Sequence, residues 1–183
     1  LDRCVQLAQH EPSALVRLAL ASTIQRLPLS NRASLASALM ANEQDATDHN
    51  LPLVVWYGLM PVADHDPMSL VDVAIESRWP KTQRLITRRL AESMHEQMSP
   101  LDRLLSSITQ CDNETVRTNV LGGIEDAMKG WAKAPQPAAW APFVSSIKPG
   151  EEQLSATVRA LGVVFGDGRA MDQIRELVLR NST

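Results

Sequence analysis

The residues predict an all-α protein, an α-solenoid of about eleven helices in antiparallel pairs. Three observations carry that reading. A phrase recurs: an acidic start, a few residues, Val-Arg, then an apolar helical run. It stands at Glu11-Pro12-Ser13-Ala14-Leu15-Val16-Arg17, again at Asp112-Asn113-Glu114-Thr115-Val116-Arg117, and again as Glu151-Glu152 leading to Val158-Arg159. The composition suits helices: aromatics are 4% of 183 residues, with one Tyr and two Phe, so a core must rest on Leu, Val, Ile and Ala. Proline and glycine punctuate the apolar runs, as at Pro28, Pro61, Pro80, Gly130 and Pro149-Gly150.

Val116 and Val158 lie 42 residues apart, and the 100 residues from Val16 to Val116 leave room for two further units of irregular length. All-helical periods of roughly 40–47 residues belong to HEAT/armadillo-like repeats, in which each unit contacts only its neighbours. Residues 1–183 therefore read as a single helical-repeat domain. The opening at Leu1, without Met, reads as a piece of a longer multidomain protein.

The elements follow in order. Residues 1–9 read as the tail of a helix. A helix over 12–27 takes Pro12 in its first turn and stops at Pro28, with two apolar faces, Leu15-Leu18-Ala19 and Val16-Leu20-Ile24-Leu27. Ser30 caps a helix over about 31–42, and Gln44 to Asn50 is a polar loop. Leu51 to Met60 is apolar almost throughout; its length favours a buried helix over a strand, capped by Asn50 and ended by Pro61. Asp66-Pro67 opens a helix of about 67–77, and Trp79-Pro80 opens another of about 80–95. Ser99-Pro100 starts one that runs to about 110, with Asp102 in its first turn. Asp112 caps a helix from 113 to about 129, and Gly130 stops it. Lys133 to Pro142 holds three prolines and reads as an irregular insertion, the weakest seam of the chain. Helices of about 138–147, 151–165 and 169–180 follow, the last two joined by Gly166-Asp167-Gly168.

Bulk chemistry narrows the function classes. The net charge is −3, which argues against a nucleic-acid partner, because duplex binders usually carry a basic excess. No apolar run approaches the roughly 18 residues of a membrane span, and no signal peptide is visible. Cys4 and Cys111 stand outside any CxxC or CxxCH pattern and read as small buried apolar residues.

Five cations, Arg78, Lys81, Arg84, Arg88 and Arg89, lie in a stretch with no acid from 78 to 91. Lys81, Arg84 and Arg88 share one helical face and fit either a solvated outer surface or contact with phosphate or an acidic partner. Trp56 and Tyr57 sit on the most apolar helix, as core residues or as part of a partner surface. His49 and His65 flank that helix roughly 20 Å apart, too far for one metal site. Gly166-Asp167-Gly168 lacks the GxGxxG spacing of a dinucleotide loop, and no GxSxG elbow occurs. Gly122-Gly123 inside a helix marks a close helix approach or a kink. No catalytic, cofactor-binding or metal-ligating set is expected.

Three stretches carry a family resemblance. They are Glu11-Pro12-Ser13-Ala14-Leu15-Val16-Arg17-Leu18-Ala19-Leu20-Ala21-Ser22, Asn50-Leu51-Pro52-Leu53-Val54-Val55-Trp56-Tyr57-Gly58-Leu59, and Arg84-Leu85-Ile86-Thr87-Arg88-Arg89-Leu90. Over about residues 10–95 the chain resembles the HEAT-repeat middle of the large exported, membrane-bound dehydrogenases of planctomycete-type bacteria. In that family a sugar-dehydrogenase-like β-propeller precedes the repeats and a c-type cytochrome domain follows. The resemblance implies an exported, periplasmic setting and a non-catalytic scaffold, a spacer or docking module for neighbouring domains or a protein partner. The family's haem motif is absent here, so no catalytic residue carries over. The alternatives are a nucleic-acid-binding HEAT domain using the 78–89 basic run and a stand-alone adaptor.

Overall fold

The computed structural model describes residues 1–168 and 179, and these are helical without a strand. The expected helix over 169–180 falls outside the described residues. Among the described residues ten α-helices are present: α1 (Asp2–His10), α2 (Ala14–Thr23), α3 (Leu29–Met40), α4 (Leu51–Leu59), α5 (Pro67–Glu76), α6 (Pro80–Glu92), α7 (Ser99–Thr109), α8 (Glu114–Ala127), α9 (Trp140–Ser145) and α10 (Glu152–Val164). Short 3-10 turns at Ile24–Arg26, Glu43–Asp45 and Met60–Asp64 complete the helical content.

Packing runs between next-but-one neighbours. Helices α1, α3, α5, α7 and α9 each pack on the next of their set, and α2, α4, α6, α8 and α10 do the same. The apolar core lies between and within these two sets of helices. The even helices begin at residues 14, 51, 80, 114 and 152, in steps of 37, 29, 34 and 38 residues. Two even helices, α4 and α6, occupy the long gap between the first two Val-Arg phrases. The steps are shorter than the 42-residue spacing of the later phrases because the third phrase sits a turn deeper. Val16-Arg17 and Val116-Arg117 are the third and fourth residues of their helices, whereas Val158-Arg159 are the seventh and eighth of α10.

The first two phrases place a buried cation at the same point. Arg17 is 2% exposed, and its Nε and Nη2 donate to Asp45 at 2.5 and 2.7 Å while Nη1 donates to the Glu11 carbonyl at 2.6 Å. Arg117, also 2% exposed, gives Nη1 to Glu151 at 3.0 Å and Nη2 to Ser146 Oγ at 3.0 Å, with its guanidinium 5.2 Å from the Phe143 ring centre. Each arginine thereby ties an even helix to the segment that leads into the next one. The buried residues of α2 are Arg17 and Ala21, continued by Ile24 in the 3-10 turn that follows, while Leu15 stays exposed. Of the two apolar faces expected over 12–27, Leu15, Val16 and Ala19 are exposed, Leu18, Leu20 and Leu27 are half-buried against the core and Ile24 is fully buried, while Arg17, its charge met by the ion pair, takes an inward position that no apolar residue fills.

Several boundaries moved for local reasons. Helix α2 gives way to a 3-10 turn at Ile24, and α3 begins at Leu29, directly after Pro28. Asp48, and not Asn50, caps α4: its Oδ1 accepts from the backbone N–H groups of Asn50 and Leu51, both at 2.8 Å. Past Pro61 the chain stays helical as a 3-10 turn to Asp64. Asp66 caps α5 as expected, accepting from Ser69 N–H at 3.2 Å. Asn113 caps α8 through Val116 N–H at 3.3 Å, while Asp112 pairs with Lys148 at 2.9 Å. Gly130 adopts φ 85°, the left-handed stop its position predicted. Arg32 on α3 donates to the carbonyls of Gln25, Leu27 and Gly58 at 2.8–3.0 Å, setting a positive charge on two helix ends.

The proline-rich stretch is held from both sides. Ala134 N–H donates to the Val164 carbonyl at 2.9 Å, and Asp102 Oδ1 accepts from Ala139 N–H at 3.0 Å. Trp140 within it is fully buried, so the stretch is a packed connection and not a seam.

Glycine at 122 and 123 brings α8 against α6. A Cβ on Gly123 would lie 2.6 Å from the Arg84 carbonyl and 2.7 Å from Thr87 Cβ. Backbone cannot yield as a side-chain tip can, so only glycine allows this approach. Gly123→Ala should lower unfolding stability by about 1–3 kcal/mol in urea titration, whereas Gly168→Ala, where a Cβ meets nothing, should shift it by less than about 0.5 kcal/mol. Equal effects would remove the close-approach account. Asp45→Ala should cost about 3–5 kcal/mol by stranding Arg17, and adding Arg17→Met should recover much of that loss.

Candidate functional site

The sequence singled out Trp56, Tyr57 and the cations of 78–89, and the structure brings several of them to one surface. Successive helical residues point about 100° apart. Trp56 is therefore turned inward at 9% exposure and Tyr57 outward at 53%. Trp56 joins Met60, Leu85, Arg88, Arg89 and Glu92 around a shallow depression of about 240 Å³ between α4 and α6. Arg78, just before α6, lies at the far end of that helix, and exposed Lys81 is in its first turn.

The basic run is not a free cationic face. Arg78 pairs with Glu43 at 3.0 Å, Arg84 with Asp126 at 2.5 Å, Arg88 with Glu92 at 2.8 Å, and Arg89 with Asp64. Glu43, Asp64 and Asp126 arrive from other segments, and Glu92 from the end of α6 itself. Lys81 is the one cation of the run without a carboxylate at ion-pair distance among the described residues. Exposed pairs of this kind contribute little stability each, but they cancel the field a phosphate backbone would meet.

The Arg84–Asp126 pair lies directly over the glycines of α8. A Cβ on Gly122 would stand 2.8 Å from Arg84 Nη1, so the missing side chain makes room for the guanidinium. Arg84 and Lys129 hold the Asp126 carboxyl down to about 2, chiefly through the Arg84 hydrogen bond. The guanidinium is in turn raised by Asp126.

Other candidates separate. His49 and His65 are both exposed, at opposite ends of the α4 segment, and no group of three or more potential metal ligands occurs among the described residues. Cys4 and Cys111 are free thiols, half-buried where full burial was expected. No described helix is long and apolar enough to cross a membrane. His95 stacks on Trp131 at 4.9 Å beyond the ends of α6 and α8, a contact with no sequence signal because 36 residues separate the two rings.

Sequence reasoning missed a second concave feature. A cleft of about 410 Å³ opens where the N-terminal ends of α6 and α8 meet the close of α5, lined by Ile75, Glu76, Gln83, Asn113, Val116 and Asn119 among others. Its walls come from three helices, so no contiguous motif marks it. Comparison of the chain with protein-family models, with curated proteins and with solved structures finds no match.

Two outcomes follow from these charges. Asp126 has a depressed folded pKa, so its stabilisation is complete above its ordinary value of 3.8 and is lost as pH falls toward about 2. The stability of Asp126→Asn, followed by urea unfolding, should fall less steeply across that window than that of the native chain; parallel curves would discount the pair. The paired basic run should bind random-sequence duplex DNA no tighter than about 100 µM at about 150 mM salt, by fluorescence anisotropy.

Proposed function

We propose that the chain is a non-catalytic scaffold, a HEAT-like α-solenoid of helix pairs that presents its even-helix row to a protein partner or to neighbouring domains. The observation that carries this reading is the recurring clamp. Arg17–Asp45 and Arg117–Glu151 join successive even helices at the same helical position within a two-row array. Such an array has little deep interior, and its function lies in extended surface. The exposed Tyr57 and the neighbouring Trp56–Met60 depression supply one apolar part of that surface. The paired state of Arg78, Arg84, Arg88 and Arg89 favours a protein partner over nucleic acid.

The resemblance of residues 10–95 supplies a context for the scaffold. Within an exported multidomain dehydrogenase it is a spacer that holds a catalytic propeller and a haem domain in register. The purified chain should therefore show no oxidation of sugars or alcohols with an added electron acceptor. Turnover that co-purifies with the chain and disappears on unfolding would sink the scaffold reading. Sequencing the parent reading frame tests the context separately: a propeller upstream and a CxxCH downstream support the spacer, and their absence leaves a free-standing adaptor.

A further inference from the structure

The junction between α6 and α8 lacks the clamp that joins α2 to α4 and α8 to α10. The fourth residue of α2 is Arg17 and that of α8 is Arg117; the fourth residue of α6 is Gln83. Gln83 is buried, and it is satisfied at short range. Its Nε2 donates to the Ala74 carbonyl at 2.7 Å and its Oε1 accepts from Asn119 Nδ2 at 3.1 Å. The fourth residue of α4 is Val54, and the segment leading into α6 carries fully buried Trp79, whose Nε1 donates to the Asn42 carbonyl at 2.8 Å. At α6 neither device is present, and the cleft of about 410 Å³ stands there.

The chemistry of the cleft is specific. Ile75, Val116 and Pro80 give it an apolar wall. Asn119 commits its amide nitrogen to Gln83 and leaves its side-chain carbonyl to accept. Arg78 at the rim is matched by Glu43 at 3.0 Å. Exposed Glu76 has no cation at ion-pair distance among the described residues and is the unpaired carboxylate of the cleft wall. An acceptor, a lone carboxylate and an apolar wall lie where the α2 and α8 junctions hold a guanidinium.

We infer that this cleft binds an arginine side chain from a partner polypeptide, with an apolar neighbour of that arginine lying on Ile75 and Val116. The guanidinium supplies the cation that this junction lacks. Its planar fork donates to Glu76 and to the Asn119 carbonyl at once, a geometry that the single charge of lysine does not reproduce. The inference rests on the reading of the chain as a protein-interaction module and names the partner chemistry for one of its surfaces.

The test is a titration of the isotope-labelled chain by NMR with two capped tripeptides, Ac-Leu-Arg-Gly-NH2 and Ac-Leu-Glu-Gly-NH2. The arginine peptide should give saturable shifts at Glu76, Asn113 and Asn119, at least about tenfold tighter than the glutamate peptide. Glu76→Gln, an exposed change, should weaken it about fivefold. Gln83→Arg should block it by placing the missing cation from within; if that variant fails to fold by circular dichroism, Glu76→Gln decides alone. No shift with the arginine peptide, equal response to both peptides, or an unchanged response in Glu76→Gln overturns the assignment. Saturable shifts confined to Tyr57 and Arg88 overturn the cleft and leave the interaction-module reading standing.

Discussion

The buried guanidinium is the constraint on which the rest of the described structure turns. A charge removed from water costs several kcal/mol unless it is paired and hydrogen-bonded, so an arginine placed in the core dictates where its partners stand. Arg17 draws in Asp45 and the Glu11 carbonyl, and that fixes both the entry to α2 and the turn that precedes α4. Arg117 does the same for Glu151 and Ser146 before α10, with Phe143 beneath its guanidinium plane. Its Nε is buried without a partner, so this second clamp is less completely satisfied than the first. Such pairs add modest net stability, since an apolar replacement would also pack. They specify which loop meets which helix, and a row of similar short helices needs that information to avoid packing out of register.

The α6–α8 pair is organised by a different rule. Here the two helices meet through glycine, with backbone and the Thr87 side chain filling the space a Cβ would need. Arg84 crosses that gap to Asp126, a partner 42 residues away, while Gln83 and Asn119 link the same helices nearer their starts. A glycine contact and short neutral bonds replace the long buried cation. The same substitution leaves room at the helix starts, so the tightest contact and the open cleft are two ends of one junction.

The basic run shows how far a surface can differ from its sequence. From 78 to 91 the chain contains no acid, and a local reading finds an unopposed cationic face. Folding brings Glu43, Asp64 and Asp126 to Arg78, Arg89 and Arg84, and Glu92 one turn on to Arg88. Three of those acids are at least 25 residues distant, so no window of sequence could have displayed the neutralisation. Tyr57 and Trp56 illustrate the converse. Their adjacency implied opposite fates on a helix, but which ring faces solvent depended on where α6 packs.

What the sequence determined by itself is the helical class, the alternation of helices with proline and glycine stops, the repetition of the Val-Arg phrase, and the choice at Gly122-Gly123 between a close helix approach and a kink. Each is a local property, written in propensity, capping or the absence of a side chain. The tertiary structure decided the meaning of the phrase. Two of its arginines are buried clamps and the third, a turn deeper in α10, is half-buried, because helix starts and not residue intervals set the facing. It also decided that Asp48 and Asn113 cap their helices, that the proline-rich stretch is packed, and that a cleft opens beside Gln83. These depend on pairs of groups far apart in the chain, whose distance only the folded backbone sets.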